Sequence, residues 1–182
     1  TFTNKAAAEM RQRIEKIAGT EARNLYMGTF HSVFARILRR EANKLGYPQN
    51  FTIYDTADSK SVIKQILKAQ NLDDKAYKPS QVFYRISQAK NALISPEQYL
   101  ENIEMIEEDK ASGRPQIAQI YKIYATKCKQ NGAMDFDDLL FNFYLLLSKH
   151  PESLYYYQHR FQHILIDEFQ DTNTAQYAII KK

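Results

Sequence analysis

Among its 182 residues the chain has one cysteine, five glycines and five prolines. A single thiol, Cys128, excludes an internal disulfide framework and leaves no partner for a cysteine-based metal site. A reducing cytoplasm is therefore the expected compartment, and a small core residue the plainest role for Cys128. No apolar run reaches the roughly 20 residues of a membrane-spanning helix, and the N-terminus lacks the charged-then-apolar pattern of a secretion signal, so no membrane partner is expected. Turn-formers are few, low-complexity stretches and repeats are absent, and helix-spaced apolar positions dominate, which predicts a mainly helical chain. The 44% hydrophobic content suffices for one core or for a main lobe with a smaller one. A net charge of +4 leans weakly toward an anionic partner. The chain opens on Thr1-Phe2-Thr3 without an initiator Met and closes on Lys181-Lys182 within a helical pattern, as an internal piece of a longer protein would.

Thr1 to Thr3 reads as the end of a strand, with Asn4 capping a helix that runs through Ala6, Ala7, Met10, Ile14 and Ile17 to Gly19. A short strand is expected at Leu25 to Gly28. Phe30, Val33, Phe34, Ile37, Leu38 and Leu45 then recur at helical spacing, with Arg36, Arg39, Arg40 and Lys44 on the other faces. From Phe51 to Asn131 the pattern changes to several short helices with separate start signals: Asp55 or Thr56, Pro79, and Ser95-Pro96 with Gln98 as capping-box partner. This stretch reads as a helical insertion, basic at Lys75, Lys78, Arg85 and Lys90 and acidic from Glu97 to Asp109. After Gly132, Asp135 caps a helix with Leu139, Leu140, Phe143, Tyr144 and Leu147 on its apolar face, and Pro151 opens another.

Ile164-Leu165-Ile166 has the continuous apolar character of a strand covered on both faces, and Asp167 and Glu168 follow it directly. Ligands of open α/β sheets bind at the carboxyl ends of strands, where loops and helix N-termini converge. A carboxylate there can hold Mg²⁺, which takes oxygen ligands and shares its shell with substrate phosphates; the neighbouring Glu can orient or deprotonate a water. An apolar strand followed by Asp-Glu is, alone, a weak sign, since a solvated turn has the same composition.

The longer string is more specific. Ile164-Leu165-Ile166-Asp167-Glu168-Phe169-Gln170-Asp171-Thr172-Asn173 closely resembles the Walker B segment of UvrD/Rep-type superfamily 1 DNA helicases. Thr1-Phe2-Thr3-Asn4-Lys5-Ala6-Ala7 resembles motif Ia of that family, Gly28-Thr29-Phe30-His31-Ser32 its next DNA-contacting motif, and Asp135-Phe136-Asp137-Asp138-Leu139-Leu140 a further marker. The four occur in family order across the whole chain.

The resemblance implies a mainly α chain with a small parallel sheet remnant, an α/β arrangement in which residues 1–50 and 132–182 belong to a partial RecA-like motor domain and residues 51–131 form the inserted helical subdomain. It implies Mg²⁺ coordination by Asp167, water activation by Glu168, and signature positions at Gln170 and Asp171. It implies single-stranded DNA contacts at Phe2, Asn4, Thr29, His31 and Ser32, with Phe2 packing on a base. The bland alternatives are a core aromatic for Phe2 and a satisfied structural histidine for His31. Ile86-Ser87-Gln88-Ala89-Lys90-Asn91 resembles a family segment facing duplex DNA, which marks Lys90 as a duplex contact against the alternative of an ordinary surface lysine. Lys5, Arg11, Arg36, Arg39 and Arg40 could follow phosphates, although exposed basic side chains are mostly solubilising.

The phosphate-binding loop G-x-x-x-x-G-K-[ST] is absent. ATP and Mg²⁺ are therefore expected to be cofactors of a longer parent that moves 3′ to 5′ on single strands and at single-strand/duplex junctions in replication or repair, while this chain alone neither hydrolyses ATP nor unwinds. Two other classes share features with it: the motor part of a RecB/AddA-type helicase-nuclease, and a non-enzymatic helical DNA-binding module. The last would require Asp167 and Glu168 to stand away from any strand end.

Overall fold

The computed structural model describes residues 1–73 and 75–182. The first flank contains α1 (Asn4–Ala18) and α2 (Phe30–Glu41), then β1 (Thr52–Tyr54) leads into α3 (Thr56–Ala69), α4 (Pro79–Asn91), α5 (Pro96–Glu101), α6 (Ile103–Ala111) and α7 (Ile117–Gln130). The chain returns through β2 (Ala133–Asp135) to α8 (Phe136–Lys149), α9 (Pro151–Arg160) and α10 (Thr174–Ile180). A mainly helical chain with a small parallel sheet is what these elements amount to.

Helices begin where side chains can take over the orphan amides of a first turn. Asp55 and Asp58 form a reciprocal capping box on α3, Ser95 and Gln98 on α5, and Asp135 and Asp138 on α8. Such a cap contributes about 0.5–2 kcal/mol. Pro79 and Pro151 open α4 and α9, where a missing N–H costs nothing. At α1 the cap is Thr3 and not Asn4: the Thr3 hydroxyl accepts from the Ala6 amide at 3.1 Å, and Asn4 is already helical.

Buried apolar side chains gather in two clusters. One draws only on residues between Val62 and Cys128, with Ile63 and Ile66 of α3, Val82 and Ile86 of α4, Tyr99 of α5 and Tyr121 and Tyr124 of α7 at its centre. The other joins the two flanks, packing Phe34, Ile37 and Leu38 of α2 against Leu139, Phe143 and Leu146 of α8, Tyr157 of α9 and Ile179 of α10. Each fully buried side chain of this size stabilises the fold by about 1.5–3 kcal/mol. Cys128 lies in the first cluster, where burial pushes its thiol up to about 12, so it is a core thiol without nucleophilic character at neutral pH.

The sheet is built by residues other than those the apolar runs suggest. β1 and β2 pair in parallel, Thr52 with Ala133, Ile53 with Met134 and Tyr54 with Asp135, so the two ends of the helical stretch stand side by side. Thr1–Thr3, Leu25–Gly28 and Ile164–Ile166 are not strands. Leu165 is 94% exposed and Ile164 54%. A covered strand needs a ladder on each side to occupy its backbone groups, and among the described residues none lies beside these runs. The Ile164–Ile166 run instead borders an apolar cavity of about 440 Å³ that Tyr26, Phe34, Leu147, Tyr157 and Phe161 also line.

Candidate functional site

Asp167 and Glu168 form a turn that continues into a 3₁₀ segment, Phe169–Asp171. Glu168 adopts φ 50°, a left-handed conformation that costs a non-glycine residue on the order of 1 kcal/mol. The turn is closed by the Asp171 amide donating to the Glu168 carbonyl at 2.9 Å and by the Thr172 hydroxyl donating to the Phe169 carbonyl at 2.9 Å. The Gln170 side-chain amide donates to the Glu168 carboxylate. Asp167, Glu168, Gln170 and Asp171 are all exposed, so the carboxylates of Asp167, Glu168 and Asp171 are open to ligands. Among the described residues no three acidic, histidine or cysteine side chains come together as a metal cage. An exposed pair fits Mg²⁺, which usually uses one or two carboxylates together with water and substrate phosphates.

A second edge is built around the start of α2. Thr29 caps the helix, its hydroxyl accepting from the Ser32 amide at 3.3 Å, and the Ser32 hydroxyl donates to the Thr29 carbonyl at 2.9 Å. A Cβ on Gly28 would stand 2.4 Å from the Ser32 hydroxyl, so this tight entry requires glycine. Phe2 packs on Phe30, ring centroids 5.6 Å apart, and Phe30 on the buried Phe34 at 5.8 Å. His31 meets the edge of Phe136 at 5.8 Å. Burial lowers the His31 pKa from 6.5 against the opposing charge of Asp137, leaving a neutral ring at pH 7 that can stack or hydrogen-bond but carries no charge.

Thr1 joins the two edges. Its backbone nitrogen donates to the Gly28 carbonyl at 3.3 Å, and its hydroxyl donates to Asp167 Oδ2 at 3.4 Å. Asp167 is thus linked through one residue to the segment that enters α2. Asn4 and Ser32 are exposed on the same helical starts. Thr29 is buried, 8% exposed, with its hydroxyl used by the cap, so it shapes this edge from beneath and is not a surface contact.

Lys90 corrects the sequence expectation most sharply. It is 1% exposed, and its ammonium donates to Asp135 Oδ2 at 2.7 Å and pairs with Asp138 Oδ1 at 2.6 Å. Tyr124 donates to the same Asp135 oxygen at 2.8 Å. Burial by itself would lower the Lys90 pKa, but Asp135 and then Asp138 hold it well above its ordinary value. Burial and the charge of Asp135 push Asp138 up to about 6. A buried cation so enclosed cannot meet a duplex. It welds α4 of the helical stretch to the start of α8, and the acids at the cap and third positions of α8 are the sequence sign of it.

Most of the other basic candidates also have structural work. Arg39 donates to the Gln49 and Phe51 carbonyls, Arg40 to the Tyr26 hydroxyl and Arg11 to the Met27 carbonyl, while Arg36 lies 3.9 Å over the Tyr26 ring. Lys5 is exposed. No helix among the described residues is long and apolar enough to cross a membrane.

Residues 1–182 match the sequence profile of the UvrD/REP helicase N-terminal domain. Over 181 residues, covering all of this chain, it is 45% identical to the ATP-dependent DNA helicase PcrA of Staphylococcus epidermidis. It is 44% identical over the same span to the ATP-dependent DNA helicase PcrA of Staphylococcus aureus. The chain spans about a quarter, 24%, of each of these relatives. With a profile matched along its full length, the chain belongs to the UvrD/REP helicase N-terminal domain family.

Proposed function

We propose that this chain is part of the motor of an ATP-dependent DNA helicase that moves 3′ to 5′ on single strands and opens duplex at junctions. In this reading residues 1–50 and 132–182 are motor and residues 51–131 the inserted helical subdomain, a division that the two separate apolar clusters support. The observation that carries the proposal is the link through Thr1 between Asp167 and Gly28, which sets an exposed carboxylate near the segment that holds Phe30 and His31.

Asp167 would hold Mg²⁺ through its exposed oxygens, and Glu168 would accept the proton of the water that attacks the terminal phosphate. The chemistry such an ion would supply is neutralisation of phosphate charge. Gln170 fixes the Glu168 carboxylate by its side-chain hydrogen bond. On the other edge, Phe2 offers a face for a base and the neutral His31 ring a second contact; stacking suits a translocating motor because every base presents a π-face.

The chain alone lacks the glycine-rich loop that cradles β and γ phosphates, so it is expected to show no ATPase activity. Appreciable Mg²⁺-dependent hydrolysis that Glu168→Gln abolishes would contradict this. Fluorescence anisotropy with a labelled single strand at two salt concentrations tests the DNA edge. Salt-sensitive binding is expected, weakened about 5- to 100-fold by Phe2→Ala, within the range for loss of one stacked base.

A second reading has one observation in its favour. The run before Asp167 is not a strand, so the carboxylates stand at no strand end, as a non-enzymatic helical DNA-binding module would have it. Binding that survives both Phe2→Ala and His31→Ala would favour that module.

A further inference from the structure

The side chain of Asn91, the last residue of α4, is used at both ends. Its amide group donates to the Ser87 carbonyl at 2.9 Å and to Asp137 Oδ1 at 2.8 Å, and its oxygen accepts from the Asn173 amide at 2.6 Å. Asn173 caps α10 and is locked there, its oxygen accepting from the Gln176 amide at 2.8 Å while its own backbone N–H donates to the Gln176 side chain at 3.0 Å. It is also the second residue after the Phe169–Asp171 turn. Asp137 acts on His31 by its charge, and its neighbour Phe136 packs edge-on against the His31 ring. One asparagine therefore touches both the residue that anchors the downstream end of the carboxylate turn and the residue beside the aromatic edge.

Two features make this contact exacting. The adjacent Lys90, bound to Asp135 and Asp138, fixes α4 against α8, so Asn91 has little freedom to drift. The upstream end of the turn has weaker restraint: Asp167 is held by Thr1 at 3.4 Å, and the preceding Ile164–Ile166 run is unpaired. The position of the turn is then set mainly from its downstream end. Only a side chain with a donor and an acceptor on one planar group meets both demands; an aspartate here would face Asp137 with like charge and have no N–H to give.

We propose that Asn91 is a positioning residue that transmits strand occupancy at the Phe2–His31 edge to the Asp167–Asp171 turn, by way of Asp137 and Asn173. This deepens the helicase reading and rests on its assignment of the Phe2–His31 edge to DNA.

Hydrogen–deuterium exchange of the chain, with and without a short oligo-dT strand, tests it against Asn91→Ala and Asn173→Ala. The second variant breaks the same bond from the other side and leaves the contact to Asp137 intact, so a folding defect of one does not decide the matter; circular dichroism checks both. Without DNA, exchange at Phe169–Thr172 is expected to be about fivefold faster in both variants, as loss of one hydrogen bond of ordinary strength gives. With saturating oligo-dT, the wild type is expected to slow exchange at Phe169–Thr172, and both variants to lose that slowing while keeping DNA affinity within about threefold, since neither residue touches the strand. Slowing that persists in the variants, or is absent in a wild type that binds DNA, overturns the proposal. Failure of the wild type to bind oligo-dT refutes the DNA reading of the edge, and with it the transmitted signal; the exchange rates without DNA then still decide whether Asn91 positions the turn.

Discussion

The two irregular stretches at Leu25–Gly28 and Ile164–Ile166 are more densely apolar than the segment from Val62 to Cys128, yet it is the latter that closes a core. In that core Ile63, Tyr99 and Tyr124 are fully buried, whereas Leu165 is 94% exposed. A helix satisfies its own backbone and needs only a neighbour for its apolar stripe; a strand needs neighbours for its backbone as well. Apolar content thus becomes buried structure only where backbone groups have partners.

The largest break of this contrast is expected at its most buried polar point. Lys90→Ala would leave Asp135 and Asp138 enclosed without a cation and should lower urea-unfolding stability by about 3–5 kcal/mol. Lys90→Met, which removes the charge but keeps the volume, leaves the same two acids unpaired and should also be severely destabilising. Next, Ile66→Ala should cost about 2–5 kcal/mol, since the helical core can close over a lost side chain only in part.

Acid should then reveal the same cluster with the opposite sign from ordinary carboxylates. Asp138 lies at about 6 in the fold against 3.8 when free, so the folded state holds the extra proton between those values. Its contribution is most favourable below 3.8 and is lost as pH rises through about 6. Asp135 is held below 3.8, by Lys90 and its hydrogen bonds against the effect of burial, and works in the other direction only at lower pH. Relative to Asp138→Asn, the wild type should therefore gain stability as pH falls from 7 to 5, a difference that parallel urea titrations would read. The smallest effect belongs to the irregular run, where Leu165→Ala should change stability by no more than about 0.5 kcal/mol. A loss comparable to that of Ile66→Ala would mean that the run is packed in solution.

Local signals were legible in the residues themselves. Asp55, Ser95 with Gln98, Asp135, Pro79 and Pro151 start helices because capping and φ restriction act within one turn of the residue that causes them. The strings Asp167–Asp171 and Gly28–Ser32 are legible as family motifs, whereas the exposed turn of the first and the Thr29 cap of the second appear only in the fold. Lys90 is not legible from the sequence because its two acid partners lie more than forty positions away, and a lysine on an amphipathic helix has the same local pattern whether it meets water or two acids. Asn91 escaped notice for the same reason: its partners lie on α8 and at the start of α10. The strand at Ile164–Ile166 failed for the converse reason, since its composition is right and its neighbours are missing among the described residues.

The parallel pairing of Thr52–Tyr54 with Ala133–Asp135 limits how this chain can be shortened. Two strands running the same way cannot be joined by a tight turn; they need a crossover of about a dozen residues or more. An engineered deletion of α3 to α7 that keeps the pair must therefore leave a bridging segment of that length, and it must also replace Lys90, because Asp135 and Asp138 would otherwise lose their counter-charge. The helical stretch is thus less a removable ornament than a clasp whose two ends and one buried lysine are all fastened to the same short strand and the helix that follows it.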